Sequence, residues 1–421
     1  MPASDLSMTA TRLQKVLGTR FEPGRKTYRS GTHRSSDPVQ TLNRISPGLR
    51  AMGITRVADI TGLDKIGIPV TMVVRPNSRS LAVSQGKGLS LVSAQVSGIM
   101  ESVETFHAER ITRSLRLTDR TTLQQDVRVV NTDELPKCDG KQFHDDVRTL
   151  WIQGVDLICG EDVWVPYESV HTDFTVPCPS GSGFFPANTN GLASGNCDTE
   201  AIAHALYEVI ERDAMALWYQ RAPGDCPVVD LDSVDDNDAV KLIDRLRGVD
   251  LDIRIWNVTS DIGIPCFHCL IMGENHYLAD PEFGSGCHPD RRVALLRAIT
   301  EAVQARTTFI SGSRDDFEPR LYAEEQRVKR QASCAAIMKN DASIIRFDSV
   351  PDQVFDTIYE DLDRTIRKLM ERGIKEVIWV DLALPEFAIP VARVIVPGLE
   401  GAFDTSDQYV VGARAHAASR K

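Results

Sequence analysis

Residues 53–74 read GITRVADITGLDKIGIPVTMVV, residues 248–271 read GVDLDIRIWNVTSDIGIPCFHCLI, and residues 373–396 read GIKEVIWVDLALPEFAIPVARVIV. Each holds two β-rich runs around an Ile-Pro pair, Ile68-Pro69, Ile264-Pro265 and Ile389-Pro390. Apolar residues at helical spacing precede each: Leu42, Ile45 and Leu49; Leu242, Ile243 and Leu246; Ile366, Leu369 and Met370. The repeating unit therefore reads as helix, glycine stop, strand, turn, strand. Proline donates no ladder hydrogen bond, and the first residue of the returning strand is a position that tolerates it. Three such units predict a mixed α/β protein of related layers rather than a string of independent domains.

The chain as a whole carries the composition of a globular protein, 42% hydrophobic and 25% charged over 421 residues. Its formal net charge of −11 argues against a nucleic-acid partner, because phosphate backbones need clustered Lys and Arg. The start, MPASDLSMTATRLQKV, lacks a signal-peptide core, and no apolar run approaches the roughly 20 residues of a membrane helix. A cytoplasmic protein with reduced thiols is expected. The nine cysteines form no disulfide framework, and Cys266 and Cys269, flanking His268, lack the second half of a zinc site.

Chemistry is legible between the repeats. In QGKGLSLVSAQVSGIMESVETFHAER (85–110), Val96, Ile99, Met100, Val103 and Phe106 mark an apolar face, while Ser97, Glu101 and Glu104 fall at i, i+4 and i+7. In SGNCDTEAIAHALYEVIERDAMALW (194–218), Asn196, Glu200, Glu208 and Glu211 line one stripe, with Arg212 following. In GSGCHPDRRVALLRAITEAVQARTTF (284–309), Arg297, Glu301 and Gln304 repeat the spacing. Any one stripe also fits a solvated helix face stitched by ion pairs. Three together, with the acids mostly lacking a lysine at pairing distance, point to carboxylates that a cation neutralises, and hard oxygen ligands suit Mg²⁺.

These blocks resemble the YcaO family: S-x3-E-x2-E after the GKG of Lys87 and Gly88, then G-N-x3-E-x7-E-x2-E-R, then a G-x-H block ending R-A-x-T-E-x-x-Q. With KTYRSGTHR (26–34) and IPVARVIVPGLEG (389–401), the resemblance spans residues 26–401, leaving tails at 1–25 and 402–421. It implies the family's intertwined ATP-binding fold, which is not a P-loop, and ATP-dependent activation of a peptide amide. Carried over, Glu101, Glu200, Glu208 and Glu211 bind Mg²⁺, and Glu104, Arg212 and Arg297 are the catalytic set. Ser97, Asn196, Arg212, Arg297, Glu301 and Gln304 contact nucleotide, and Arg34 and Thr41 complete the site from the first helix. Arg34 replaces a Lys found in some relatives, and Ala193 stands where some have Ser. His288 matches a family position near the site and is read equally as a turn or capping residue and as a chemical group, His204 as structural, and Trp218 and Tyr219 as core or rim.

The nucleophile decides the product: a substrate Cys, Ser or Thr gives an azoline, external sulfide a thioamide, an amine an amidine. The ending VVGARAHAASRK differs from the proline-rich tail of many azoline-forming members, and residues 1–25 are too few for a fused leader-binding domain. KTYRSGTHR followed by GITRVADITGLDKIGIPV looks most like YcaO proteins that operate with a TfuA partner, which implies thioamidation of a peptide or protein. Azoline formation and a non-catalytic accessory role stay open, as does a homodimer.

Overall fold

The computed structural model describes residues 13–221, 224–273, 280–401 and 410–419; parts of both expected tails, 1–12 at one end and 402–409 with 420–421 at the other, fall outside the described residues. In chain order the strands are β1 (Arg56–Asp59), β2 (Val70–Val74), β3 (Val83–Lys87), β4 (Leu115–Thr118), β5 (Thr149–Asp156), β6 (Glu161–Pro166) and β7 (Leu192–Ser194). They continue with β8 (Val228–Asp230), β9 (Leu251–Asn257), β10 (Cys266–Gly273), β11 (Glu282–Cys287), β12 (Ile344–Arg346), β13 (Ile378–Asp381) and β14 (Val391–Ile395). Helices and sheets mix as the YcaO resemblance implies.

The three repeats take the expected form. The helices Pro38–Ile45, Asn237–Arg247 and Ile358–Glu371 precede the antiparallel pairs β1–β2, β9–β10 and β13–β14. Pro69, Pro265 and Pro390 stand immediately before the returning strands. The first strand of each pair ends in an Asp or Asn whose Oδ1 accepts the N–H two residues on: Asp59 from Thr61 (3.0 Å), Asn257 from Thr259 (3.1 Å) and Asp381 from Ala383 (3.0 Å). The residue between donates in turn to the returning strand: Ile60 N to Val70 O (3.0 Å), Val258 N to Cys266 O (2.9 Å) and Leu382 N to Val391 O (2.9 Å). Before each Ile-Pro the backbone enters the left-handed region, at Gly67 (φ 70°), Gly263 (φ 75°) and Ala388 (φ 51°). The glycine stop is left-handed at Gly53 and Gly373, but in the second repeat Asp250 (φ 55°) takes that conformation instead of Gly248 (φ −65°).

Each pair gains a third strand that feeds a long helix. Strand β3 pairs with β2 and leads to Leu91–Ala108; β11 pairs with β10 and leads to Arg291–Ser311. In the third repeat the added strand is β7, far upstream of β14, and it leads to Asp198–Tyr219.

The chain divides into two compact units. The first comprises 1–27, 103–220 and 355–421 and holds the antiparallel sheet β4-β5-β13-β14-β7, with β6 on β5. Its helix Asp198–Tyr219 packs on β7, β14 and helix Ile358–Glu371. Arg20 pairs with Asp198, and its Nη1 lies 2.5 Å from Asp381. The second comprises 28–102 and 221–354, with a β1-β2-β3 sheet and a β11-β10-β9-β8-β12 sheet that is antiparallel except for the parallel β8–β12 pair. Ile60, Ile68 and Val70 share one core there with Leu242, Ile255, Phe267, Leu295 and Ile299. Among the described residues no helix is long and apolar enough to cross a membrane.

Candidate functional site

Two of the three striped helices are packed on nearly every side. In Asp198–Tyr219 every position from Asp198 to Leu217 is buried except His204, Glu208 and Arg212, which are half-buried and repeat at i, i+4, i+8. In Arg291–Ser311 the run Val293–Phe309 is buried apart from Arg297, Glu301, Gln304 and Ala305. In Leu91–Ala108, Ser97, Glu101 and Glu104 are half-buried too, but so are Val92, Ser93, Gln95, Val96 and Met100, and Leu91 is exposed. A surface helix shows water a broad polar face, whereas Asp198–Tyr219 and Arg291–Ser311 show only a narrow line of functional groups. The solvated-face explanation of the stripes therefore does not hold for those two helices.

In the first unit the loop between β7 and its helix organises the acids. Glu104 Oε1 accepts from both the backbone N–H (2.8 Å) and the hydroxyl (2.6 Å) of Ser194 at the end of β7. Asn196 Nδ2 donates to Glu200 Oε1 (3.0 Å), holding a carboxylate that is only 3% exposed. Glu211 is 2% exposed, and Arg212 Nη2 stands 3.7 Å from Glu208 and 3.9 Å from Glu211, too far for a tight hydrogen bond. Glu200, Glu208 and Glu211 thus offer hard oxygens from a helix that is otherwise packed, a donor set that fits Mg²⁺.

The second unit contributes a different set. Lys87 Nζ reaches Glu301 Oε2 at 2.5 Å, and Ser285 N–H donates to the other carboxylate oxygen at 3.4 Å. Gln304 Nε2 donates to the carbonyl of Gln85 (2.9 Å), so β3 and helix Arg291–Ser311 are joined by two of the stripe's own side chains. Thr41 is buried with its hydroxyl donating to Asp37 O (3.1 Å), and the Arg34 backbone pairs with Tyr28. Ser97 and Glu101 share the stripe of Leu91–Ala108, and the charge of Glu101 helps raise the pKa of Arg314, whose first cause is its hydrogen bond to Asp316.

The remaining singletons have structural tasks. His288 Nδ1 accepts from Asp290 N–H (2.9 Å), and Asp290 caps Arg291–Ser311, so His288 buttresses a helix cap. Cys266 and Cys269 are buried thiols outside any disulfide, and His268 Nδ1 meets Ser285 Oγ at 3.0 Å. Trp218 is half-buried and Tyr219 exposed, as rim residues are. Three partners escaped the sequence reading: Ser194, Lys87 as the mate of Glu301, and Arg393. The last lies in β14, is 3% exposed, and has its pKa lowered to about 10 by burial, a shift the charge of Glu208 opposes. A cation inside the apolar run VARVIV was the available signal.

Comparison with known proteins now bears on this geometry. The family description YcaO cyclodehydratase, ATP- and Mg²⁺-binding, matches residues 85–400. A protein of Rhizobium leguminosarum bv. trifolii, described as an uncharacterized protein in the tfuA 3′ region, is 37% identical over 393 residues, covering 91% of this chain and 92% of that one. The structure of YcaO from Methanopyrus kandleri bound with AMPPCP and Mg²⁺ superposes with a TM-score of 0.71 at 23% identity, over 90% of this chain and 95% of that one. A heterocyclase in complex with substrate and cofactor gives 0.72 at 21% identity, over 91% of this chain and 55% of that one. The chain belongs to the YcaO family, whose members bind ATP and Mg²⁺.

Proposed function

We propose that this chain activates a peptide backbone amide with ATP. A nucleophile adds to the amide carbon, the former carbonyl oxygen takes the γ-phosphoryl group, and that oxygen then leaves as phosphate. Glu101, Glu200, Glu208 and Glu211 hold Mg²⁺, which when bound neutralises charge on the transferring group. Arg212 and Arg297 stabilise the same charge, Glu104 completes the catalytic set, and Ser97, Asn196, Glu301, Gln304, Arg34 and Thr41 contact nucleotide. The observation that carries this reading is the narrow polar line on Asp198–Tyr219 and Arg291–Ser311, helices that are otherwise buried, since clustered carboxylates in such a place call for a cation.

The preferred nucleophile is sulfide, with a TfuA-type protein as partner. Hydrosulfide supplies the sulfur, the amide oxygen departs as phosphate, and the products are a thioamide, ADP and phosphate. The relative in the tfuA 3′ region supports this choice. Azoline formation is the second reading, favoured by the fold shared with a heterocyclase, and it uses the same phosphorylation with a substrate side chain as nucleophile.

Glu101→Gln and Glu208→Gln keep size and remove charge. Each should weaken Mg²⁺-dependent ATP binding about 10- to 100-fold, as expected for losing a charged ligand, and abolish turnover with circular dichroism unchanged. Wild-type nucleotide affinity and turnover in both variants would refute the metal assignment. Mass spectrometry of peptide incubated with chain, partner, ATP and Mg²⁺, with and without sulfide, separates oxygen-to-sulfur exchange from loss of water. Water loss without sulfide would remove the thioamide and keep the amide activation.

A further inference from the structure

Along β3 the second unit brings two of the striped helices to one place. Lys87 meets Glu301 at 2.5 Å, the carbonyl of Gln85 accepts from Gln304 (2.9 Å), and the N–H of Ala82, just before the strand, donates to Asp315 Oδ2 (3.2 Å). Helix Arg291–Ser311 and the loop after it therefore run back along the strand toward its start. Helix Leu91–Ala108 runs the same way: a Cβ on Gly88 would meet Ala94 N at 2.8 Å, and one on Gly98 would meet Gly86 N at 3.0 Å. Glu101 is almost one turn beyond Gly98, so both runs reach the start of β3, one carrying Glu101 and the other Arg314. Electrostatics agree with that placement, since the charge of Glu101 acts on Arg314, whose pKa is raised first by its hydrogen bond to Asp316.

Arg314 is preset by its own loop. Its Nε donates to Asp316 Oδ1 (2.8 Å) and its Nη2 to Asp316 Oδ2 (2.5 Å), and its guanidinium lies 5.4 Å from the centroid of the Phe317 ring. Phe317 meets Phe309 of the helix in turn, and Gly312 (φ 58°) leads the chain out of it. A partly exposed arginine gives up rotamer freedom to be fixed in this way. Two of its five N–H groups are used by Asp316; the other three have no acceptor among the described residues, and the side chain is 25% exposed, so a ligand can reach it. Among the described residues no ion pair joins it to Glu101. An open fork of donors beside a carboxylate that suits Mg²⁺ matches a metal-bridged phosphate, whose oxygens take both a hard cation and hydrogen-bond donors. We infer that Arg314 contacts the phosphate oxygens of the nucleotide and that Asp316 is its positioning residue. The inference rests on the proposed function and adds to it a cation from residues 312–317, a loop outside every striped motif.

The test measures binding of the non-hydrolysable analogue AMPPCP with Mg²⁺ to the full chain by isothermal titration calorimetry, so that no turnover is needed. Arg314→Met should weaken binding about 10- to 100-fold, the loss expected for a charge-assisted hydrogen bond, with Arg314→Lys between it and the wild type. Asp316→Asn should weaken it less, and in the Arg314→Met background it should cost nothing further, a coupling that a merely structural role of Asp316 would not produce. Unchanged affinity in Arg314→Met, or tighter binding, which would make Arg314 only a counter-ion of Glu101, would overturn the inference. Additive losses from the two substitutions would overturn the positioning role. Should Arg314→Met fail to fold by circular dichroism, Arg314→Gln decides in its place. Binding lost in Glu101→Gln but kept in Arg314→Met condemns Arg314 alone, and absent binding to the wild type condemns the nucleotide site itself.

Discussion

Replacing Ala388 by glycine should stabilise the first unit, although the substitution removes a methyl group and adds no contact. Ala388 occupies the left-handed region at φ 51° in the place where the other two repeats carry Gly67 and Gly263. A Cβ there costs about 1–2 kcal/mol against the following carbonyl. Glycine returns about 0.4–1 kcal/mol of that through the freedom it adds to the unfolded chain. Ala388 is exposed, so its methyl group buries little, and the net gain is about 0.8 kcal/mol. For units of this size that is about 2 °C in midpoint. Gly67→Ala is the mirror experiment in the second unit. No atom lies within 4 Å of where its Cβ would be, so the new methyl meets open space and only the backbone term acts, with the opposite sign. Urea titrations followed by circular dichroism read both. Equal loss in the two variants, or no change in either, would refute the claim that the turn before Ile-Pro is set by backbone handedness.

Glu101→Gln and Glu208→Gln, as above, test the cation. His107 and His171 of the first unit have pKa values lowered by burial, and His107 donates from Nδ1 to Val103 O (2.8 Å) while its Nε2 is buried without a partner. Folded pKa values below the unfolded one mean stability that is full above about pH 6.5 and falls as pH drops toward the folded values, by up to about 1.4 kcal/mol per pH unit per proton. Stability curves across that range should flatten in His107→Gln, and an unchanged slope would exclude His107 as a source. Gly286→Ala would place a Cβ 2.2 Å from the carbonyl oxygen of Ala294 and should cost about 3 kcal/mol or more, seen as a lower urea midpoint.

What could be read in advance follows from what is local. The helix, turn and Ile-Pro of each repeat are encoded within some two dozen residues, and so the pairs β1–β2, β9–β10 and β13–β14 were legible. The joining of β7 to β14 was not, because LAS (192–194) has no periodicity of its own and its partner lies in the last quarter of the chain. The acids of the stripes were visible because helical spacing places them together. The near-complete enclosure of two of those helices was not, since Ile202 and Leu296 would look alike on a surface helix and a buried one. Lys87 stood in view beside Gly88, yet nothing short of the fold brings it to Glu301. Arg393 was hidden by its apolar neighbours, because hydrophobic alternation averages over a single cation.

The glycines in or just after the third strands have a consequence for motion. A Cβ on Gly86 would lie 2.0 Å from the oxygen of Ala94, one on Gly284 2.1 Å from the nitrogen of Ala302, and one on Gly195 2.5 Å from the nitrogen of Ala201. At these points main chain rests on main chain, with no side chain between to change rotamer and absorb a shift. Strand and helix therefore have no soft coordinate along which to slide, and thermal fluctuation of an acid such as Glu200 is confined to its own torsions. For the Mg²⁺ site proposed above, affinity would then be governed by reach and angle rather than by rearrangement, so a larger cation should be discriminated against by distance alone.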